Sequence, residues 1–132
     1  MKLSLRTALF VAAALLIIFG AIGDAFVVVP DLHGDLVEIG VRPTVLGGTV
    51  LYLYFSAIAM FGFALMVSAA AIQALRGIPP ARFPLAVIAV IYTAFGVLAF
   101  SRSHSAHHLG PLAMGILLAA ALAIPASKRS LA

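Results

Sequence analysis

Three of the four histidines in the chain, His104, His107 and His108, fall within five consecutive positions. His104 and His108 are four residues apart, a spacing that places two side chains on one face of a helix. Neutral imidazole is a common ligand of zinc, copper, nickel and iron. With the fourth histidine, the predicted metal ligands are His33, His104, His107 and His108. An ordinary polar loop is the other interpretation, because no longer metal-binding signature accompanies these residues.

Asp24 is the second candidate for chemistry, because it interrupts a long apolar stretch that resumes with AFVVV. A carboxylate at the centre of a bilayer costs about 2.5–3.5 kcal/mol on insertion scales, so Asp24 should face other helices or water. Asp24 and His104 are therefore candidates for acid–base catalysis on a lipophilic substrate. A structural ion pair between two helices is the alternative.

Aromatic residues form a third group. Tyr92, Gly96, Phe100 and His104 recur every four residues, and Tyr52 shares a helix face with Ser56. A phenol surrounded by apolar groups seeks a hydrogen-bond partner. Tyr52, Tyr92 and Phe100 are thus predicted to line a site for a lipophilic ligand. Hydrogen bonding between helices is the alternative explanation, and no cofactor is identifiable from the sequence.

The composition indicates the environment in which the helices that carry these residues lie. Of 132 residues, 64% are hydrophobic and 9% are charged, with a mean hydropathy of +1.22. Soluble domains carry about 25% charged residues, so this chain has too few charges to cover a surface in water. Lipid is the expected surrounding of most of the chain. The absence of cysteine excludes disulfides, cysteine-ligated zinc and thiol catalysis.

Four runs free of Asp, Glu, Lys and Arg predict four membrane-spanning helices, since a crossing takes about 20 apolar residues. The expected fold is all-α: an integral membrane four-helix bundle with up-down-up-down topology, forming a single transmembrane domain over residues 1–132. Pro30 is expected to end the first helix. The segment 30–44 is expected outside the membrane, as a short amphipathic helix or an ordered loop. The predicted spans are 7–29, 45–75, 83–103 and 109–126.

Small residues recur every four positions along the last span, at Gly115, Ala119 and Ala123. Small side chains allow membrane helices to approach closely. These three residues therefore predict a tight helix–helix seam within the bundle. An interface of some of them with another subunit is the alternative.

The basic residues predict the orientation of the bundle. With four crossings, six of the eight fall on one side, as the positive-inside rule expects for the cytoplasm. Both termini are thus predicted to be cytoplasmic, in the plasma (inner) membrane of a bacterial-type cell, and the acidic residues and histidines should gather at the outer face. Because membrane orientation accounts for the positive net charge, this charge does not indicate a nucleic-acid partner, and none is expected. The six basic residues are Lys2, Arg6, Arg76, Arg82, Lys128 and Arg129.

The sequence favours a multi-pass membrane protein without catalytic activity: an accessory or structural subunit, or a protein that binds a lipophilic ligand. The expected partners are the lipid bilayer and either other membrane subunits or further copies of the chain. Whether the protein is an enzyme stays open. The alternatives are a membrane-embedded enzyme that acts at the outer rim, and metal binding at the outer face by the histidines.

Overall fold

The structure is a computed structural model that describes residues 4–104 and 106–125. The described chain is all-helical, as predicted, and contains four helices. A short 3₁₀ turn, Ala106–His108, joins the third helix to the fourth. The helices are α1 (Leu5–Glu38), α2 (Pro43–Leu75), α3 (Arg82–Ser103) and α4 (Leu109–Ala123).

Three of the helices, α1, α2 and α3, are long and apolar enough to cross a membrane, judged by length and composition. The 33 residues of α2 form one unbroken helix, as the charge-free run predicts. The fourth helix is apolar but has only 15 residues, or about 22 Å, against a hydrocarbon core of about 30 Å. The four crossings, their orientation and the single transmembrane domain stay predictions.

The expectation that Pro30 ends the first helix is wrong. The helix widens into a π-helical turn over Asp24–Val28 and then continues as α-helix from Val29 to Glu38. The amide of Val29 donates to the carbonyl of Asp24, five residues back. Proline clashes with the carbonyl four residues before it in a regular α-helix. The wider turn directly before Pro30 explains how the helix passes this residue.

The segment after the π turn is an amphipathic helix for most of its length. Val29 is buried and Leu32 and Leu36 are half-buried, at positions that share one face. The charged and imidazole side chains of the segment are exposed instead. This outcome agrees with the helical alternative up to Glu38. Ile39 and Gly40 then form a turn, and Pro43 and Thr44 already belong to α2. The exposed side chains are those of Asp31, His33, Asp35 and Glu38.

Glycine ends both α1 and α2 through the same hydrogen-bond pattern. Gly40 and Gly77 have φ angles of 73° and 76°, in the left-handed region that glycine enters without a Cβ clash. The amide of Val41 donates to the carbonyl of Leu36 at 3.1 Å, and the amide of Ile78 donates to the carbonyl of Gln73 at 2.8 Å. These are Schellman motifs, which satisfy carbonyl groups that a helix end leaves without partners.

The chain divides into two compact units, which are described separately. The terminal unit comprises the described residues up to Leu16 together with those from Met66 onward, and the middle unit is Ile17–Leu65. All four Asp and Glu residues belong to the middle unit, and seven of the eight Lys and Arg residues belong to the sequence of the terminal one. Three of those seven, Lys2, Lys128 and Arg129, lie outside the described residues.

Within the terminal unit, α3 and α4 pack antiparallel and very closely. A Cβ atom built on Gly96 would lie 2.5 Å from the backbone nitrogen of Leu112. One built on Gly115 would meet the Oγ1 of Thr93 and lie 2.6 Å from the Thr93 nitrogen. Real Cβ atoms do not approach other atoms so closely, so only glycine fits at these two positions without movement of the backbone.

The predicted seam on α4 is confirmed at Gly115 and wrong, as a seam within the chain, at Ala119 and Ala123, which are exposed. An interface of these two residues with another subunit stays a prediction. An α-helix has 3.6 residues per turn, so a stripe that advances by four residues drifts around the helix. The buried residues of α4 instead follow Gly115 at Leu118 and Leu122. A step of three and then four residues keeps these side chains on the face that packs.

Two arginines from other helices satisfy the carbonyl groups at the end of α4. The Nε of Arg6 donates to the carbonyl of Ala121 at 3.3 Å, and the Nη2 of Arg82 donates to that of Leu122 at 2.7 Å. The amide of Ile124 donates to Ala120 at 3.2 Å. The beginning of α1, the beginning of α3 and the end of α4 therefore lie together. The guanidinium groups also complement the negative end of the helix dipole.

Replacement of Gly115 by alanine tests the close approach of α3 and α4. The added methyl group would overlap the Thr93 backbone, and overpacking of this kind typically costs about 1–3 kcal/mol. We expect Gly115→Ala to lower the free energy of unfolding by about that amount, measured by circular dichroism during a denaturing-detergent titration.

Gly34→Ala is the matched control, because a Cβ at Gly34 meets no atom within 4 Å and this glycine is exposed within a helix. It should leave stability unchanged or raise it by up to about 1 kcal/mol, the difference in helix propensity. A Gly115→Ala protein as stable as the unaltered chain would contradict this packing.

Candidate functional site

His104 ends α3 through its backbone. Its φ and ψ angles of 51° and 19° lie in the left-handed region, and its amide donates to the carbonyl of Phe100 at 2.8 Å. Non-glycine residues enter this region infrequently, although histidine does so more often than most. The turn that follows the helix therefore accounts for the left-handed conformation of His104.

The aromatic strip predicted along α3 is partly formed. The rings of Phe100 and His104 lie edge to face, with centroids 5.9 Å apart and an interplanar angle of 82°. Gly96 packs against Leu112, and Tyr92 is buried with 5% of its surface exposed. The strip thus runs from a buried phenol to an exposed imidazole along one helix. Its role as a ligand site stays a prediction.

The other two histidines of the loop lie in the 3₁₀ turn before α4. His108 is half-buried, and the side chain of His107 lies outside the described residues. Where side chains are described, no three His, Asp or Glu residues come close enough to hold a metal ion. Because the side chain of His107 lies outside the described residues, the metal site predicted from His33, His104, His107 and His108 stays a prediction.

The candidates of the middle unit lie at different depths. Asp24 is half-buried and is the first residue of the π-helical turn. His33 is exposed on the amphipathic segment that follows. Tyr52 has 78% of its surface exposed on α2, so within this chain it does not line an enclosed pocket. Its predicted role would require a ligand or partner that covers the outside of α2.

Two residues that the sequence assigned only to orientation, Arg6 and Arg82, make the long-range polar contacts described above. Arg6 also lies over the ring of Phe10, 5.5 Å from its centroid, in a cation–π contact. The positive-inside pattern indicated their side of the membrane but gave no sign of which backbone groups they would reach. Ser68 had no sequence signal either, and its buried hydroxyl has no hydrogen-bond partner among the described residues.

An apolar groove on the exposed side of α3 is a further feature that the sequence did not predict. It has a volume of about 260 Å³ and begins at Phe83, directly after Arg82. Its lining contains no polar side chain, so it offers shape and apolar surface without groups for catalysis. The lining residues are Phe83, Ala86, Val87, Val90 and Ile91.

Comparison with known proteins adds no family to this description. No family model matches the chain, and no curated protein or solved structure shows significant similarity to it. The assignment of function therefore depends on the residues and geometry above.

Substitutions at His104 separate the role of its backbone from that of its imidazole. Glycine adopts the left-handed conformation freely, whereas it costs other L-residues about 1–2 kcal/mol. We expect His104→Gly to keep or raise the melting temperature in detergent and His104→Val to lower it.

Ala94→Val, at an exposed right-handed position of the same helix, is the control and should change the melting temperature less than His104→Val. Equal losses in His104→Gly and His104→Val would contradict the backbone role and show that the imidazole itself stabilises the fold.

Proposed function

We propose that this chain is a small, multi-pass integral membrane protein without catalytic activity, which acts as an accessory or structural subunit. Its membrane is the plasma (inner) membrane of a bacterial-type cell, with the end that carries Arg6 and Arg82 toward the cytoplasm. Support comes from the three helices of sufficient length and apolar character, and from the gathering of these two arginines at one end.

The exposed apolar surface of α2 is the observation that carries this proposal. In its most apolar stretch, only 17% of the residues are buried within the chain. A helix that is hydrophobic all round belongs in a membrane or in the core of a larger assembly. The large exposed side chains in this helix include Leu51, Tyr52, Phe55, Ile58 and Leu65.

Glycine on that surface favours a protein partner in addition to lipid. Gly62 is exposed in the middle of α2, and a Cβ there would meet nothing within 4 Å. Glycine in a helix costs about 1 kcal/mol relative to alanine, and lipid contact offers no compensation for this cost. A second helix that approaches closely would compensate it, because small residues bring backbones into contact. We therefore expect another membrane subunit or a second copy of the chain at this surface.

A membrane-embedded enzyme is the second candidate, and one observation favours it. Asp24 and His104, the residues assigned to acid–base chemistry, each occupy a local irregularity of the backbone. Such π turns and left-handed residues occur often at functional sites. Pro30 accounts for the first irregularity and the end of α3 accounts for the second, so this candidate ranks below the subunit. Metal binding by the histidines ranks third.

The mass of the purified protein tests the subunit proposal. The full chain should be extracted from its native membrane in several mild detergents, and its mass measured by light scattering after size exclusion. We expect a protein mass well above the 13.7 kDa of one chain, with a constant ratio between the chain and any partner.

Gly62→Leu should lower that mass, whereas Gly34→Leu should not. Both glycines have open space around them, but Gly34 lies on the amphipathic segment among charged residues. A solitary monomer in every detergent would overturn the proposal.

A further inference from the structure

The end of the terminal unit that carries Arg6 and Arg82 has the chemistry of an anion site. The two guanidinium groups reach the carbonyls of consecutive residues, Ala121 and Leu122, so they converge on one helix end. Each guanidinium has five N–H donors and no acceptor. The carbonyl contact described for each arginine uses one donor, which leaves others for an acceptor that comes from outside the chain.

The charge at this end is not balanced by carboxylates from the same unit. No Asp or Glu occurs before residue 17 or after residue 65 of the sequence. The end of α4 contributes a partial charge of about −0.5, against two full positive charges on Arg6 and Arg82. The net positive charge therefore favours an anionic ligand over a neutral or zwitterionic one.

The apolar groove on α3 indicates what kind of anion fits. It begins one residue after Arg82 and continues to Ile91, a rise of about 12 Å along the helix. Its lining is entirely apolar, and most of those side chains are exposed. A ligand that covers both features carries a negative charge at one end and a hydrocarbon chain at the other.

We propose that Arg6 and Arg82 bind the phosphate of an anionic phospholipid, with one acyl chain of that lipid along the groove from Phe83 to Ile91. A planar guanidinium group donates two parallel hydrogen bonds to the oxygens of one phosphate. A lysine ammonium group instead acts as a point charge. This site depends on the proposed membrane location, because only a bilayer presents such a lipid at the level of Arg82. It assigns the two arginines a ligand in addition to their contacts with α4.

Native mass spectrometry of the full chain tests the site directly. The protein is released from mixed micelles that contain equal amounts of phosphatidylglycerol and phosphatidylcholine, and the lipid retained per chain is counted. We expect phosphatidylglycerol to be retained preferentially. Arg6→Gln and Arg82→Gln should each lower its retention about fivefold, the effect of one basic residue near a lipid surface.

The control for charge is Arg102→Gln, which removes an arginine at the opposite end of α3 and should leave retention unchanged. Because Arg82→Gln also removes the contact with Leu122, a second variant keeps both arginines. Ala86→Trp fills the groove at an exposed position and should lower retention while the melting temperature without lipid stays the same.

Three results would overturn the lipid site. They are equal retention of the two lipids, loss of retention in Arg102→Gln to the same extent, and displacement of phosphatidylglycerol by inorganic phosphate, which would identify a soluble phosphate as the ligand. The proposed membrane location is tested separately by extraction of membranes with alkaline carbonate. A chain that stays in the membrane but retains both lipids equally contradicts this site alone, whereas a chain released by carbonate contradicts the membrane location.

Discussion

Backbone hydrogen bonding is the constraint on which this structure depends. A peptide group in hydrocarbon has no water to bond, and each group without a partner costs several kcal/mol. Helices satisfy these groups internally, and the chain consists almost entirely of helices over its described length. The constraint is then concentrated at the helix ends, where four amides and four carbonyls lack partners inside the helix.

The carbonyl groups at the carboxyl-terminal ends of the helices find hydrogen-bond donors in three different ways. Gly40 and Gly77 turn the chain into the left-handed region, so that the amides that follow reach back to the last carbonyls. His104 ends α3 in the same region of backbone conformation without a glycine. The end of α4 instead receives Arg6 and Arg82 from two other helices. This last solution links α1, α3 and α4 and places the charges of Arg6 and Arg82 at one end of the terminal unit.

The fold class was predictable because it depends on composition, and composition is unambiguous here. The long charge-free runs gave α2 and α3 nearly to the residue. Pro30 was misleading because the π turn that accommodates it has no sequence signature. The seam on α4 was misassigned at Ala119 and Ala123 because a period of four looks regular in a sequence but drifts around a helix. Arg6 and Arg82 were visible as charges, but their carbonyl partners lie 115 and 40 residues away.

The candidate site residues also show that a sequence does not reveal which distant segments come into contact. Their types and spacing suggested metal binding, acid–base chemistry and ligand binding, and the spacing along α3 did bring Phe100 and His104 into contact. Spacing within one helix is fixed by geometry, whereas contacts between distant segments depend on packing that no short motif encodes. Asp24, His33 and Tyr52 therefore retain their predicted roles only as hypotheses.

The placement of the two ends of α3 on opposite sides of a membrane is the central claim, and labelling of single cysteines tests it most directly. The chain contains no cysteine, so Pro79→Cys and Ala106→Cys each introduce one exposed thiol, before and after α3 respectively. A maleimide that cannot cross membranes should label Ala106→Cys in intact cells and Pro79→Cys only after the cells are permeabilised. Labelling of both thiols in intact cells, or of neither, would contradict this account.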